Sequence, residues 1–252
     1  MKKWLLCSVS LLLGAASVHA ADLYDPPPPP QFGGGWYLRG HFGMSNQRVG
    51  EMYHPGFDAV AVHELVDEPS FDSGLIGSLG IGYQFTERFR ADAFVEYRGR
   101  TDFSALDRYQ ITGPDWDGTN DYDGGKSEWL VMANAYMDLG DFSGIIPYVG
   151  AGIGASRNTI SRFRDINVPN QGVAYAGEDP TWNFAWALHA GVGYQATERM
   201  TVEFGYSYVD LGDAQTGTLT TYDGTPGGVQ GKMKFKDITS HDFKLGLRYS
   251  LQ

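Results

Sequence analysis

The chain has 252 residues, with 30 acidic against 19 basic side chains and a formal net charge of −11, which excludes sequence-independent binding to nucleic-acid phosphates. Glycine at 34 residues is too frequent for an ordinary helical enzyme, and aromatics at 14% are too frequent for a disordered chain. A single all-β domain fits the length.

Met1-Lys2-Lys3 supplies a positive start, Trp4 to Gly14 a short apolar run, and Val18-His19-Ala20 the residues before a cleavage point between Ala20 and Ala21. Residues 1–20 therefore read as an export signal. The run is too short to span a bilayer, and no later stretch reaches ~18 uninterrupted apolar residues. Cys7, the one cysteine, comes too early and lacks the small residues that precede a lipidated cysteine, so the exported chain carries no disulfide. Residues 21–34 hold five consecutive prolines and a glycine run, which predicts a polyproline II leader in the periplasm, a plain spacer rather than a ligand for a partner.

From Trp36 the apolar period is two. The first strand alternates Trp36, Leu38, Phe42 and Met44 with Tyr37, Arg39 and His41. The second sets Leu75, Leu79, Ile81, Tyr83 and Phe85 against Ser78, Gly80, Gly82 and Gln84. The third sets Phe89, Ala91, Ala93, Val95 and Tyr97 against Arg90, Asp92, Phe94, Glu96 and Arg98. The fourth runs Trp129 to Leu139 against Glu128, Asn134 and Asp138, and the fifth, over 146–156, interleaves Gly150, Gly152 and Gly154 with Val149, Ala151 and Ile153. The sixth carries Trp182, Phe184, Trp186, Leu188, Val192 and Tyr194. The seventh carries Met200, Val202, Phe204, Tyr206 and Tyr208. The eighth carries Phe243, Leu245, Leu247, Tyr249 and Leu251. At ~9–11 residues each is long enough to cross a bilayer on a tilt.

Connections at 86–88, 140–144 and 196–199 are tight, whereas 45–72, 99–126, 157–180 and 212–237 are long. Short periplasmic turns and long outer loops predict an all-β fold: a transmembrane antiparallel up-and-down β-barrel of eight strands over 35–252 in the cell outer membrane, its apolar face to lipid. GIGYQFTER at 80–88 recurs as GVGYQATER at 191–199, which marks either a duplicated half or one turn chemistry used twice.

The inward face then holds Arg39, Arg90, Arg98, Lys244 and Arg248 against Asp92, Glu96, Glu128, Asp138 and Glu203. Five against five predicts a paired network filling the lumen, since an unpaired buried ion costs several kcal/mol. The competing readings are an ion path and, from inward His189, Ser207 and Glu203, a hydrolase triad. A packed lumen admits no acyl chain, so no enzyme activity and no cofactor are expected.

The first long loop carries six acids to one base and the second six to three. DWDGTNDYDGG at 115–125 misses an EF-hand frame, because Thr119 and Tyr122 stand where a ligand and a glycine belong. It reads as a solvated acidic loop. Arg157, Arg162 and Arg164 are candidates for lipopolysaccharide phosphates. His54 and His63, considered for haem or metal, lack a frame and read as surface residues.

GWYLRGHFG at 35–43, the two GxGYQxTER hairpins, PYVGAGIG at 147–154, GYSYVDLG at 205–212 and the closing HDFKLGLRYSLQ resemble the opacity-type, porin-family surface proteins of alphaproteobacterial outer membranes. The resemblance implies an eight-stranded surface antigen inserted by the barrel-assembly machinery, in contact with outer-membrane lipid and lipopolysaccharide, with host or surface ligands met through loops. One departure is the end, Leu251-Gln252, where such barrels close on an aromatic; no peptidoglycan-binding tether is indicated. The expected function is structural, supporting the envelope and displaying loops, with a small ion or solute channel, or a surface receptor or adhesin, as alternatives.

Overall fold

A computed structural model describes residues 34–223 and 230–251. The expected signal and proline leader lie outside the described residues. Twelve strands form among them: β1 (Gly35–Arg48), β2 (Glu51–Tyr53), β3 (Val62–Phe71), β4 (Gly74–Gln84), β5 (Phe89–Gln110), β6 (Gly118–Asp138), β7 (Ile145–Asn167), β8 (Gly172–Ala176), β9 (Thr181–Gln195), β10 (Met200–Thr218), β11 (Thr220–Thr221) and β12 (Lys232–Ser250). Eight of them close a ring of antiparallel pairs in the order β1-β4-β5-β6-β7-β9-β10-β12, with β12 returning to β1. The eight-stranded barrel expected from the alternation is the fold.

The wall is apolar outside and polar inside. Leu79 is 77% exposed and Phe204 60%, while Arg90, Glu96 and Arg98 are at most 1% exposed in the lumen. A soluble barrel would reverse this arrangement, and a membrane barrel requires it. Aromatic side chains mark both ends of the apolar band. Trp36 packs on Tyr83 at 5.2 Å near the short turns, and Tyr97 on Trp129 at 4.9 Å near the far edge.

The repeated nonapeptides build one turn twice. Thr86 Oγ1 accepts from the Arg88 and Phe89 amides at 3.2 and 3.0 Å, and Thr197 Oγ1 accepts from Arg199 and Met200 at 3.3 and 3.0 Å. The backbone closes alike, Phe85 N to Phe89 O and Ala196 N to Met200 O, both 2.9 Å. The threonine hydroxyl satisfies amides that the tight reversal leaves unpaired. The glycines of β7 serve close approach: a Cβ on Gly150 would stand 2.4 Å from the Tyr136 ring, and one on Gly152 1.9 Å from Asn134 Oδ1.

The long connections differ from the sequence reading, because most of them are strand. β5, β6 and β7 have 22, 21 and 23 residues and rise well past the apolar band. At its upper edge four strands carry a bulge that exchanges their two faces. Inward positions on β5 are even up to Arg98 and odd from Thr101. On β7 the exchange comes at Ser161–Arg162, on β10 at Gly212, and on β12 at Asp237. Arg162, Gly212 and Asp237 adopt positive φ there, at 55°, 68° and 53°. Directly above the bulges lies an apolar layer: Phe71, Phe103, Phe163 and Phe235 lie buried with ring centroids of the contacting pairs 4.8–6.4 Å apart, packed with Met52, Leu211, Met233 and Ile238. The outer face there is polar, with exposed pairs Arg162–Asp102, Arg108–Glu64, Lys236–Glu51 and Arg164–Asp123.

Candidate functional site

The structure places the ten charges expected in the lumen on the inward face, in two ion-pair clusters, one towards the turn end and one at the upper end. Alternation dictates this: a strand with its odd or even face in lipid must present the other to the interior. At the turn end Arg90 Nε donates to Asp138 at 3.1 Å, its Nη2 lies 3.5 Å from Glu203, and its guanidinium rests over Tyr136 and Tyr148 at 4.2 and 4.8 Å. Arg248 reaches Glu203 at 3.4 Å and Gln84 at 3.0 Å. In the middle Arg39 bridges Asp92 at 2.9 Å and Glu203 at 3.0 Å. At the upper end Glu96 meets His41 at 2.7 Å, Arg98 at 2.8 Å and Lys244 at 3.0 Å. Glu128 pairs with Lys126 and lies 3.7 Å from Arg98.

Two partners escaped the sequence reading. Asp242 binds Arg98, and Lys126 binds Glu128 and donates to Gln47 at 2.8 Å. Asp242 lies one inward step above Lys244, so alternation carried one step further up the strand finds it. Lys126 fell in a stretch read as loop. With both included, six cations meet six anions, so the balance holds.

His189 and Ser207 do meet, Nδ1 to Oγ at 2.8 Å, as adjacent strands demand. Glu203 is not the third member: it faces Arg39, Arg90 and Arg248, and His189 Nε2 lies 3.1 Å from Asn134 Oδ1 instead. The cavity beside them measures about 10 Å³, room for one water at most. A cavity of 780 Å³ opens at the turn end beside Arg248 and Asp138, and one of 440 Å³ opens among the upper hairpins. The ion network and the phenylalanine cluster lie between them.

The acidic stretches are tied locally. Asp117 accepts the Ile111 amide at 2.5 Å and closes the β5–β6 turn, Asp58 accepts from Tyr53 Oη at 2.5 Å, and Asp107 is wholly buried. DWDGTNDYDGG is mostly strand, since β6 begins at Gly118. No group of three metal-ligating side chains occurs among the described residues. Arg162 and Arg164 are engaged by Asp102 and Asp123. His54 is no surface residue: it is 9% exposed, and its Nδ1 accepts the Gly56 amide at 3.0 Å at the start of a 3-10 turn, Pro55–Ala59. His63 stacks on Phe57 at 3.8 Å and bonds Asp107 at 2.7 Å.

The family model described as outer membrane protein beta-barrel domain matches residues 8–250. An uncharacterized protein of Brucella abortus (strain 2308) is 28% identical over 98% of this chain and 95% of its own. A Rickettsia bellii (strain OSU 85-389) protein, whose name proposes an adhesin, is 27% identical over 86% of this chain and 88% of its own. The solved structure of Neisserial surface protein A is similar at a TM-score of 0.49 and 15% identity, over 87% of this chain and 99% of that one. With its apolar wall closed on itself and the family model matched from end to end of that wall, the chain belongs to the outer membrane protein beta-barrel family and resides in the outer membrane.

Proposed function

We propose that the protein is a sealed structural barrel of the opacity-type, porin-family kind, bracing the outer membrane and carrying its hairpins at the cell surface. The observation that carries this reading is the Arg98 cluster under the phenylalanine cluster. An ion crossing the lumen has to break paired charges and then enter an apolar plug, and each step costs several kcal/mol. Charge balance favours a brace, because a selective pore needs a field of one sign. The engagement of Glu203 by three arginines leaves His189–Ser207 without an orienting carboxylate, which supports a non-enzymatic role. The remaining assignments follow the sequence. Residues 1–20 direct export, 21–34 space the barrel in the periplasm, the barrel-assembly machinery inserts 35–252, and the outer wall meets lipid and lipopolysaccharide.

Single-channel recording of the refolded mature protein in a planar bilayer tests the reading. The wild type is expected to be silent, and Arg90→Glu to unfold at lower temperature. Reproducible ion-selective steps in the wild type overturn it in favour of a channel.

A further inference from the structure

The 440 Å³ cavity at the outer end is a walled cup of a size suited to a small ligand. Its sides come from the 3-10 turn and β3, the β5–β6 hairpin, and the β7–β8 hairpin. Phe57, Val60, Tyr109, Tyr122, Val173 and Leu219 make most of the lining apolar and aromatic, and the lining holds no lysine or arginine among the described residues.

Its floor is anionic. Asp107 is saturated: Oδ1 accepts from the Asn120 amide and Nδ2 at 2.9 and 3.0 Å, and Oδ2 accepts from Tyr122 Oη at 2.7 Å beside His63 Nε2 at 2.7 Å. Four hydrogen bonds hold that carboxyl group in place. Asp165 lies next to it and lines the cup, but its Oδ1 is fully buried and has no hydrogen-bond partner. A buried carboxylate oxygen without a donor is unfavourable, and native structures rarely leave one without a water, ion or ligand to satisfy it. The other titratable groups lining the cup or facing Asp165 are Asp107 and Tyr109 of β5, Tyr122 of β6, and His54 and His63 of the segment before and within β3. The flanking Arg164 is turned outward to Asp123.

We infer that this cup binds a small protonated amine with an apolar body, its ammonium against the Asp165 carboxylate and its body against the aromatic wall. An ammonium brings the donors that Asp165 lacks and the positive charge that two adjacent carboxyl groups favour, and tyrosine and phenylalanine rings add cation–π attraction. A divalent cation fits less well, because Asp107 has no lone pair to spare and three-ligand clusters do not occur among the described residues. Burial and the Asp107 charge push the Asp165 carboxyl up to about 7, and a bound ammonium reverses that pressure. The cup lies above the plug, so this inference is independent of whether the lumen conducts.

Calorimetric titration of the refolded full chain in micelles tests it, with phenethylamine, 2-phenylethanol, 3-phenylpropionate and calcium chloride as probes at pH 8. Saturable binding of phenethylamine is expected, with the neutral alcohol and the anion at least tenfold weaker and calcium without effect on it. Asp165→Asn is expected to lower amine affinity at least tenfold. Val173→Trp, which fills the apolar side and keeps the carboxylate, provides a second variant that loses binding. Equal binding of amine and phenylpropionate, displacement of the amine by calcium, or unchanged affinity in both variants overturns the inference.

Discussion

Arg98 on β5 and Asp242 on β12 meet across the lumen as a two-pronged pair, Nη1 to Oδ1 at 3.0 Å and Nη2 to Oδ2 at 2.6 Å, although 144 residues separate them. Two strands, β4 and β1, stand between them in the wall, so the pair is a strut across the barrel rather than a contact between neighbours. Each group is at most 1% exposed, and neither finds water if its partner is lost.

Asp242→Asn or Arg98→Ala is therefore expected to destabilise the barrel by about 3–5 kcal/mol, the usual effect of removing one partner of a buried pair, because the rest of the cluster is left with an unbalanced charge. Arg98→Lys is expected to recover little, since an ammonium cannot replace the planar fork. The double variant Arg98→Met with Asp242→Leu is expected to recover much of the loss. The temperature at which the folded form disappears on an unboiled gel measures all four.

The β7 glycines give a positional prediction. Gly152→Val puts carbon where Asn134 and Met132 already stand, so the protein is expected to fail to reach the heat-resistant form. Ala151→Val, one residue away on the lipid face, is expected to fold normally. Equal folding yields for the two variants would count against the close approach.

Thr86→Ala and Thr197→Ala each remove a hydroxyl that accepts two amides, and each is expected to cost about 1 kcal/mol. Thr→Ser at either site is expected to be nearly neutral. The turns lie at separate β-hairpins, so the double alanine variant should show the sum of the two losses in equilibrium unfolding by urea.

The upper cup gives a dependence on pH. Asp165 holds its proton in the folded protein up to about 7, while the unfolded chain releases it near 4. The folded state then carries the extra proton in that window, so this group's contribution to stability is full below about pH 4 and falls as pH rises to about 7. Asp165→Asn is expected to slow hydrogen exchange in the upper hairpins at pH 8, by up to a few kcal/mol in local opening energy, with no difference from wild type at pH 4. Amine binding runs the other way, strengthening about tenfold from pH 6 to 8 as the carboxylate becomes ionised.

The strand order, the lipid-facing side and the ten lumen charges were legible because a period of two admits one solution once the apolar face meets lipid. Legibility stops at the bulges. Alternation from Phe89 to Arg98 names the inward face, but Gly99 and Arg100 shift the phase, and nothing local to Phe103 marks it as buried. Phe163 and Phe235 disappear behind the same shift at Arg162 and Asp237. His54, His63 and Asp165 come together only through hairpins that the sequence reading left as loops. Their spacing in the chain carries no sign of one another.

The exchange of faces at the bulges divides the molecule by the rules that govern its substitutions. Below Arg98 and Ser161, a lysine on the outer wall enters hydrocarbon and a leucine in the lumen breaks an ion network. Above them a lysine on the outside meets water, and a leucine inside joins the phenylalanine cluster rather than an ion network. Whole upper hairpins can thus be lengthened, recharged or traded between related chains without rewriting any residue that faces the bilayer.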